Sequence, residues 1–385
     1  MSPLPLLLLL LLQQSWNTEA IDELSDEDIA INASASRSPE VQLNLLQGEL
    51  RNWGPSLPLD VSFSALADIC NTIIDLSIVR PRITPDMSRM NFVLQLDACR
   101  NVSVPLTNAE ELWTTSGFSP KRPTVIFITG WTSTIDRSNS GPVAKAFACR
   151  NDTNFMVLDA ANFIRTFYTW SALNTDEIGL YLAKALLKLN RRYVTNNVHL
   201  VGHSLGAQIA GAAGRYFKEL SGSMLPRVTG LDPANPCFYD GNALNGAGSG
   251  DAKYVDLIIS NPGVLGTSED AGDGNFFVEG LVPIKSGCRG LAAITCSHQR
   301  AVDYFTESVY PTNERNFRGN HCTTRLSLWG GRTCSNIRTA VMGYAADKKG
   351  LFYVDANEEE PYGKNVKLET FTPTDSICGA CNPEN

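Results

Sequence analysis

The sequence has no dense block of basic residues, no internal repeat and only one long apolar run. It carries 32 Lys and Arg against 40 Asp and Glu, so the formal net charge is −8. This balance excludes nucleic-acid binding and argues against electrostatic docking on anionic lipid. Without a sustained period, collagen, coiled coil and repeat arrays are excluded. Apolar residues still make up 43 % of the 385 residues, enough to bury a core, so wholesale disorder is excluded too.

The one long apolar run lies at the N-terminus, where Leu4 precedes Leu6 to Leu12. It is too short to span a bilayer and predicts a secretory signal peptide over residues 1–20, cleaved after Ala20. Cleavage after Ser15, or a buried N-terminal helix, is the alternative. No second apolar run exists, so we expect no transmembrane segment and a secreted, extracellular protein.

Cysteines and glycosylation sequons agree with export. The ten cysteines are even in number, as in disulfide-bonded extracellular proteins. Three N-x-[ST] sequons predict glycosylation at Asn32, Asn101 and Asn151.

Strand patterns alternate with helical patterns over most of the chain, which predicts an α/β fold with a mostly parallel sheet and helices on both faces. Residues 21–85 are expected to be a polar extension with one amphipathic helix, whose apolar residues run from Phe63 to Ile78. The main domain is expected over residues 86–366, followed by a tail over 367–385. Strands are predicted at 91–96, 124–129, 155–158, 198–201, 228–231 and 254–259, and helices at 178–193, with Thr175 as its cap, and at 205–220.

A G-x-S-x-G motif, Gly202-His203-Ser204-Leu205-Gly206, joins one of these strands to a helix of small residues. A serine on such a turn has a strained backbone and an exposed hydroxyl, the arrangement of a nucleophile elbow. The two glycines let the turn close and the helix approach the sheet. The helix N-terminus directs N–H groups at a developing oxyanion, and we expect Leu205 to be one donor. A surface turn that holds these residues by chance is the alternative.

The second oxyanion donor is expected in the loop after an earlier strand. Thr129-Gly130-Trp131 ends the strand predicted at 124–129, so the backbone N–H of Trp131 is the candidate. The same tryptophan can also act as a packing aromatic.

A serine nucleophile needs a base, and the chain has only four histidines. His199 lies within a buried strand, and His203 neighbours Ser204 with its side chain expected to point away. His298 is therefore the predicted base, and His321 is the alternative, since both follow the serine in the order of such triads.

The acid of the triad is expected at a strand end between the serine and the base. Asp232 follows the strand predicted at 228–231, and the prolines after it fix the loop that carries its carboxylate. Three other aspartates are less suitable: Asp251 and Asp256 bracket a predicted strand, and Asp303 lies beyond His298. A plain turn aspartate is the alternative for Asp232.

Together these residues resemble the pancreatic-lipase family, in its insect branch of phospholipase A1-like and yolk-protein-like members. The similarity extends from about Asn91 to Gly363. It implies an α/β-hydrolase fold with Ser204, Asp232 and His298 as the catalytic triad. The matching segments are 127–131, 157–159, 174–175, the elbow at Ser204, 229–234, 251–256, 296–298, 342–344 and 361–363.

The chain departs from that family at several positions. Thr129-Gly130 replaces a His-Gly pair, and Ile259 replaces a histidine at a strand end. Of the family's calcium loop only Asp251 remains, with Ala243, Gly246 and Gly248 at the other ligand positions. Hard cations need several oxygen ligands at once, so we expect no metal, and nothing indicates a cofactor. Only 22 residues follow Gly363, too few for the C-terminal β-sandwich domain of digestive lipases.

The resemblance also implies that Cys288 pairs with Cys296 around a short lid, and that Cys322–Cys334 is the next bridge. Cys378-Gly-Ala-Cys381 has a redox-like spacing, but no thioredoxin-like context surrounds it, so a structural role is predicted. Partners for Cys70, Cys99, Cys149 and Cys237 stay open.

The sequence thus predicts a secreted serine esterase that acts on lipid acyl esters through an acyl-enzyme. Its partners would be the lipid substrate and, peripherally, a lipid surface. A lid of seven residues would leave the site open and favour phospholipid or small glyceride over bulk triacylglycerol. One alternative is a non-catalytic lipid-binding or storage protein of the yolk type, and another is an esterase for small soluble esters.

Overall fold

The β-branched run at Thr124–Ile128 is a strand, buried at every residue, in the middle of a large sheet. The computed structural model describes residues 84–97, 99–131, 140–160, 163–165, 168–239 and 244–381. Within these residues the sheet has eleven strands. They are β1 (Asn91–Gln95), β2 (Asn101–Pro105), β3 (Thr124–Ile128), β4 (Asn154–Asp159), β5 (Val198–His203), β6 (Arg227–Leu231), β7 (Tyr254–Ile259), β8 (Gly274–Val278), β9 (Arg318–Cys322), β10 (Ser335–Val341) and β11 (Gly350–Val354).

The strands lie in the order β10-β9-β11-β8-β7-β6-β5-β3-β4-β1-β2. From β4 to β11 all neighbours are parallel, and antiparallel strands complete both edges. The carboxyl ends of β3, β5, β6 and β7 therefore meet at one edge, which we call the active edge. This sheet confirms the predicted α/β class, and each of the six predicted strands is present within two residues of its expected ends.

Helices cover both faces of the sheet, as predicted. One apolar cluster packs Ile178 and Ile209 on one face, and a second packs Phe147 and Phe305 on the other. The α-helices of the described residues are α1 (Ser140–Arg150), α2 (Tyr168–Leu187), α3 (Arg191–Asn197), α4 (Leu205–Ser221) and α5 (Ala293–Val309). The 3₁₀ helices are Met87–Arg89, Leu106–Thr114, Gly290–Ala292 and Arg325–Leu328.

The helix predicted at 178–193 is wrong at both ends. Helix α2 begins at Tyr168, and its first turns are buried, with Trp170 only 2 % exposed. Thr175 is not a cap: it lies inside α2, where its hydroxyl donates to the carbonyl of Ala172 at 2.7 Å. The C-terminal part of the predicted helix belongs to α3, which begins after Asn190, whose side chain accepts the N–H of Tyr193 at 3.0 Å.

Disulfides attach the C-terminal tail to the domain. Cys149 pairs with Cys378 and Cys99 pairs with Cys381, so the CxxC residues bind separate partners rather than each other. Cys288–Cys296 and Cys322–Cys334 are present as predicted. All four of these bridges lie within the described residues.

The predicted signal peptide, the extension helix between Phe63 and Ile78, and Asn32 lie outside the described residues. In the part of the chain that the structure describes, none of the helices combines the length and apolar character needed to cross a bilayer.

Candidate active site

Ser204 occupies the tight turn between β5 and α4, with φ of 55°. A Cβ on Gly206 would lie 2.1 Å from the carbonyl oxygen of Ile128, and one on Gly202 would lie 2.1 Å from that of Gly206. Neither position can hold a side chain, so these glycines allow the close contact between turn, helix and sheet. The elbow predicted from the motif is present.

Asp232 follows β6 and is fully buried at the active edge. Its Oδ1 accepts the backbone N–H of Ser260 at 2.7 Å and that of Asn261 at 2.8 Å. Its Oδ2 lies 2.5 Å from Nδ1 of His298. Both carboxylate oxygens are thus engaged, which fixes the orientation of the group toward the imidazole.

His298 reaches this carboxylate from the second turn of α5, and its side chain is 12 % exposed. Because Nδ1–H of the neutral ring donates its hydrogen bond to this carboxylate, Nε2 is left as the acceptor of the ring. The structure therefore brings Asp232 and His298 together, beside the strand that ends at Ser204.

The space around Asp232 admits no extra atoms. A Cβ on Gly266 would lie 2.3 Å from Oδ1 of Asp232. This glycine belongs to the loop after β7, where Thr267 donates its N–H to the carbonyl of Pro233 at 2.8 Å. The loop thus lies directly against the carboxylate that the sequence identified, although nothing in the motif pointed to Gly266.

The predicted oxyanion loop also lies against the elbow. A Cβ on Gly130 would lie 2.8 Å from Cβ of Ser204, so the backbone before Trp131 packs directly on the serine. The indole of Trp131 meets Tyr168 edge-on, with ring centroids 5.5 Å apart. Leu205 is buried as the first residue of α4. Trp131 therefore takes part in packing as well as lying next to the serine.

Apolar side chains form one wall beside the elbow. Leu205 and Tyr168 are buried in a small apolar cluster. The half-buried side chains of Trp131, Val264 and Leu265 pack against it. Only the partly buried members of this cluster, such as Trp131, Val264 and Leu265, retain exposed apolar surface.

His203 was set aside by sequence reasoning, yet it contacts the predicted base. Its ring centroid lies 4.6 Å from that of His298, and its Nε2 is 3.3 Å from the backbone oxygen of His298. Burial lowers the pKa of His203 well below its usual value, and the nearby His298 lowers it further. Only the fold reveals this pairing, because the two residues are far apart in sequence.

Lys285 is a second residue that the sequence did not reveal. It is only 1 % exposed, and its ammonium donates to the carbonyl of Val282. Its backbone N–H donates to the hydroxyl of Ser297 at 2.9 Å, immediately before the predicted base. Burial lowers the pKa of Lys285 to about 8, opposed by the charges of Glu279 and Asp232.

The alternative histidines lie elsewhere. His321 is on β9, five strands from β5, and its ring packs edge-on against Phe352. At about 4.8 Å between strands this is roughly 24 Å from the elbow strand. His199 lies in β5 with its Nε2 2.8 Å from the hydroxyl of Thr229.

The alternative acids are engaged with arginines. Asp256 is fully buried and binds Arg227 through both oxygens, at 2.7 and 2.8 Å. Asp303 lies on α5, 3.8 Å from Arg300. Neither contacts a histidine in the described part of the chain.

Asp251, the acidic residue that remains from the family's calcium loop, is already engaged by other groups. Asp251 binds the guanidinium of Arg215 at 2.8 Å and the N–H of Gly248 at 2.9 Å. Arg215 also donates to the carbonyl of Gly246 at 3.2 Å. A single carboxylate already paired with a cation does not fit a hard divalent ion.

The lid disulfide joins the start of α5 to the loop before it. Gly290–Ala292 forms one 3₁₀ turn, and Cys296 lies within the first turn of α5, two residues before His298. The segment between the cysteines is therefore short and continuous with the helix that carries the predicted base.

Two of the predicted glycosylation sites are described, and both are accessible. Asn101 begins the outer strand β2, and Asn151 follows α1; both side chains are exposed.

A parallel sheet, a serine on a strand-to-helix turn, and an aspartate–histidine pair beyond later strands define an α/β-hydrolase-fold protein. The sequence model of one family, Lipase, matches residues 70–362. The chain belongs to the Lipase family.

Curated relatives include insect proteins of two kinds. Vitellogenin-1 of Ceratitis capitata is 32 % identical over 220 residues, which cover 56 % of this chain and 49 % of that protein. The chain thus spans about half the length of this relative. Phospholipase A1 of Vespa crabro is 32 % identical over 267 residues, covering 63 % of this chain and 84 % of that protein.

The solved structure of MGS-M1, an α/β-hydrolase enzyme from a deep-sea metagenome library, is also similar. It shares 13 % identity, covering 56 % of this chain and 73 % of that one, with a TM-score of 0.27. At that score it adds nothing to the topology described above.

Proposed function

We propose that the chain is a secreted lipid ester hydrolase that works through an acyl-enzyme. The observation that carries this proposal is the 2.5 Å contact between Asp232 and His298 beside the elbow of Ser204. Membership of the Lipase family, with phospholipase A1 among the relatives, supports an ester substrate with a lipid acyl chain.

In this mechanism Ser204 Oγ attacks the ester carbonyl while Nε2 of His298 takes its proton. The same imidazolium then delivers the proton to the leaving alcohol, and water repeats the sequence to release the fatty acid. Asp232, held by two backbone N–H groups, orients the ring and stabilises its cation. The N–H groups of Leu205 and Trp131 are proposed as the oxyanion donors.

We infer that the substrate is a phospholipid or small glyceride rather than bulk triacylglycerol. The lid between Cys288 and Cys296 consists of one 3₁₀ turn and the first turn of α5, too little to cover a groove. An open rim leaves room for a polar headgroup, while the wall beside Leu205 receives the acyl chain. A surface turn that only carries His298 is the alternative role for the lid.

A storage role of the yolk type is the second candidate, because vitellogenin-1 is among the relatives. The contact between Asp232 and His298, near the turn that carries Ser204, supports the enzyme. Secretion is supported by the four disulfides described above and by the exposed side chains of Asn101 and Asn151. Glycosidase treatment of protein from culture medium would test whether these two asparagines are glycosylated.

The experiment compares turnover of phosphatidylcholine, triacylglycerol and a soluble short-chain ester by the intact chain and by Ser204→Ala. We expect phosphatidylcholine to be preferred, with no jump in rate at the aggregation threshold. Ser204→Ala should lower turnover by about 10⁶ without loss of fold. A sharp jump with triacylglycerol preferred would reject the open site. Lipid binding without turnover by the wild type would favour the storage role.

A further inference from the structure

The positive charge of the protein is distributed unevenly. Residues 315–338 contain five arginines and no acidic residue, although the whole chain has a net charge of −8. The same segment contains β9, the 3₁₀ helix Arg325–Leu328 and most of β10, the edge strand of the sheet. This segment of the chain is therefore basic, although the molecule as a whole is acidic.

Large apolar side chains protrude from this same segment. Leu326 is 79 % exposed, Trp329 is 61 % exposed and Ile337 is 88 % exposed. Leu326 lies on the 3₁₀ turn and Trp329 follows the turn directly as its C-cap, while Leu328 between them is buried in the core. We call Leu326, Trp329, Arg332, Ile337 and Arg338 the basic-apolar patch.

The patch stands on a rigid support. Cys322 and Cys334 close the segment that carries the 3₁₀ turn. Arg325 donates to a carboxylate oxygen of Glu269 at 2.8 Å and to the carbonyl of Ser268 at 2.6 Å. These contacts neutralise the charge of Arg325 within the protein, so Arg325 is not counted in the patch.

Two contacts place the segment next to the loops of the active edge. A Cβ on Gly280 would lie 1.9 Å from the carbonyl oxygen of Leu328, and the loop after Gly280 leads to Lys285 and so to the start of α5. Glu269, the partner of Arg325, follows closely after Gly266, which lies against Asp232. The patch is thus joined to both loops that surround the aspartate–histidine pair.

The charges of the patch are available to a partner. Arg332 and Arg338 are exposed, and neither has an acidic partner within the described residues. Because the Debye length is about 8–10 Å at moderate salt, a partner that touches the patch responds to these arginines rather than to the distant net charge. The overall net charge of −8 therefore does not prevent these arginines from meeting an anionic surface.

We propose that the basic-apolar patch docks the protein on an anionic phospholipid surface. Trp and aliphatic side chains insert at the boundary between headgroups and acyl chains, and arginines bind anionic headgroups. The assignment rests on the proposed lipid ester hydrolysis for its biological meaning, since the released fatty acid would itself add negative charge to the surface. A second copy of the chain, or charges that only protect the edge strand β10 from pairing, are the competing explanations.

The test measures vesicle binding separately from hydrolysis. The intact chain is sedimented with vesicles of ether-linked phosphatidylcholine, with and without roughly one third ether-linked phosphatidylserine. These lipids have no acyl ester bond, so binding is measured without hydrolysis. The anionic phosphatidylserine supplies about 1 kcal/mol of attraction per arginine. We expect binding to require the anionic lipid. The double variant Arg332→Gln with Arg338→Gln should weaken vesicle binding about 25-fold at low salt, because each arginine contributes about five-fold. Trp329→Ala should weaken binding to the same vesicles.

Matched controls remove equivalent groups elsewhere. Lys121→Gln with Arg192→Gln removes two exposed charges at the opposite edge of the parallel strands, and Ile377→Ala removes an apolar chain that is 92 % exposed. Both controls should bind vesicles as the wild type does. All variants should cleave a soluble ester at the wild-type rate, which shows that they are folded.

The outcomes separate the two proposals. Binding that is unchanged in the patch variants, or equal for both vesicle types, overturns the patch. A concentration-dependent dimer that Trp329→Ala abolishes, without vesicle binding by the wild type, assigns the surface to a second copy instead. Absence of turnover on every ester, with normal patch-dependent binding, rejects the hydrolase and leaves the docking surface standing.

Discussion

The imidazole of His203 lies against that of His298, with centroids 4.6 Å apart, and reaches the backbone oxygen of the same residue at 3.3 Å. Since a carbonyl can only accept, Nε2 of His203 carries the proton and Nδ1 is bare. That Nδ1 is buried with no hydrogen-bond partner among the described residues. One residue thus connects the turn of the nucleophile with the helix of the base.

His203→Phe should keep the ring contact and lose the hydrogen bond to His298. We expect kcat on a soluble ester to fall about five- to tenfold, equivalent to about 1 kcal/mol, with KM unchanged. His203→Gln, which can still donate, should recover part of the loss. Equal reductions in both variants, matched by equal losses of thermal stability, would show that His203 only fills space.

His298→Ala and Asp232→Asn test the pair that the structure brings together. The first should lower kcat by about 10⁶ and the second by about 10⁴, because the asparagine cannot stabilise the imidazolium. His321→Ala, on a strand far from the elbow, should retain wild-type kinetics. Steady-state kinetics on a monomeric ester decide the matter, and an inactive His321→Ala would refute the assignment.

Gly266→Ala adds one methyl group where Oδ1 of Asp232 already lies 2.3 Å away. The carboxylate must move, so we expect a loss of about 1–3 kcal/mol of stability and about 10² in kcat. Gly141→Ala is the matched control, because nothing lies within 4 Å of its added Cβ. Denaturant unfolding and kinetics on both variants check this, and a fully active Gly266→Ala would contradict the close contact.

The free energy of unfolding should depend on pH in the alkaline range because of Lys285. Burial lowers its pKa from 10.5 to about 8, so the unfolded chain holds the proton over a range in which the folded chain has released it. Stability from this group therefore rises between about pH 8 and 10.5, by at most about 3 kcal/mol. Urea unfolding of the wild type and of Lys285→Met, at several pH values, isolates the effect. Parallel curves for the two proteins would show that the lysine does not titrate in this range.

Chelators should change neither activity nor melting temperature. Asp251 is the one acidic ligand retained from the calcium loop, and Arg215 already occupies it at 2.8 Å. Differential scanning calorimetry with EDTA, then with added calcium, tests this expectation. A melting temperature that EDTA lowers and calcium restores would require a cation site.

Local patterns were enough to predict the centre of the fold and to single out Asp232 and His298, which the structure brings into contact. The strand before Ser204 and the one before Asp232 are short apolar runs whose burial follows from composition alone. The elbow needs glycine at fixed spacing, which a motif displays directly. These features depend on neighbours in sequence, so they could be read without the structure.

The outer strands and the supporting residues depend on distant contacts instead. Strand β9, Arg318–Cys322, has no aliphatic side chain and no Phe, Tyr or Trp, and it exists because β10 and β11 pair with it. Gly266 and Lys285 are unremarkable in sequence, and only the folded chain brings them to Asp232 and α5. Such residues have no local signal from which they could be predicted.

The bridge between Cys99 and Cys381 closes a loop of sequence separation 282 around almost the whole described chain. Within it the Cys149–Cys378 bridge closes a second, at separation 229. A protease that cuts an exposed loop between residues 149 and 378 would leave both pieces covalently joined at their ends. The cut domain could then reassemble as one molecule, and SDS gels would show the nick only after reduction.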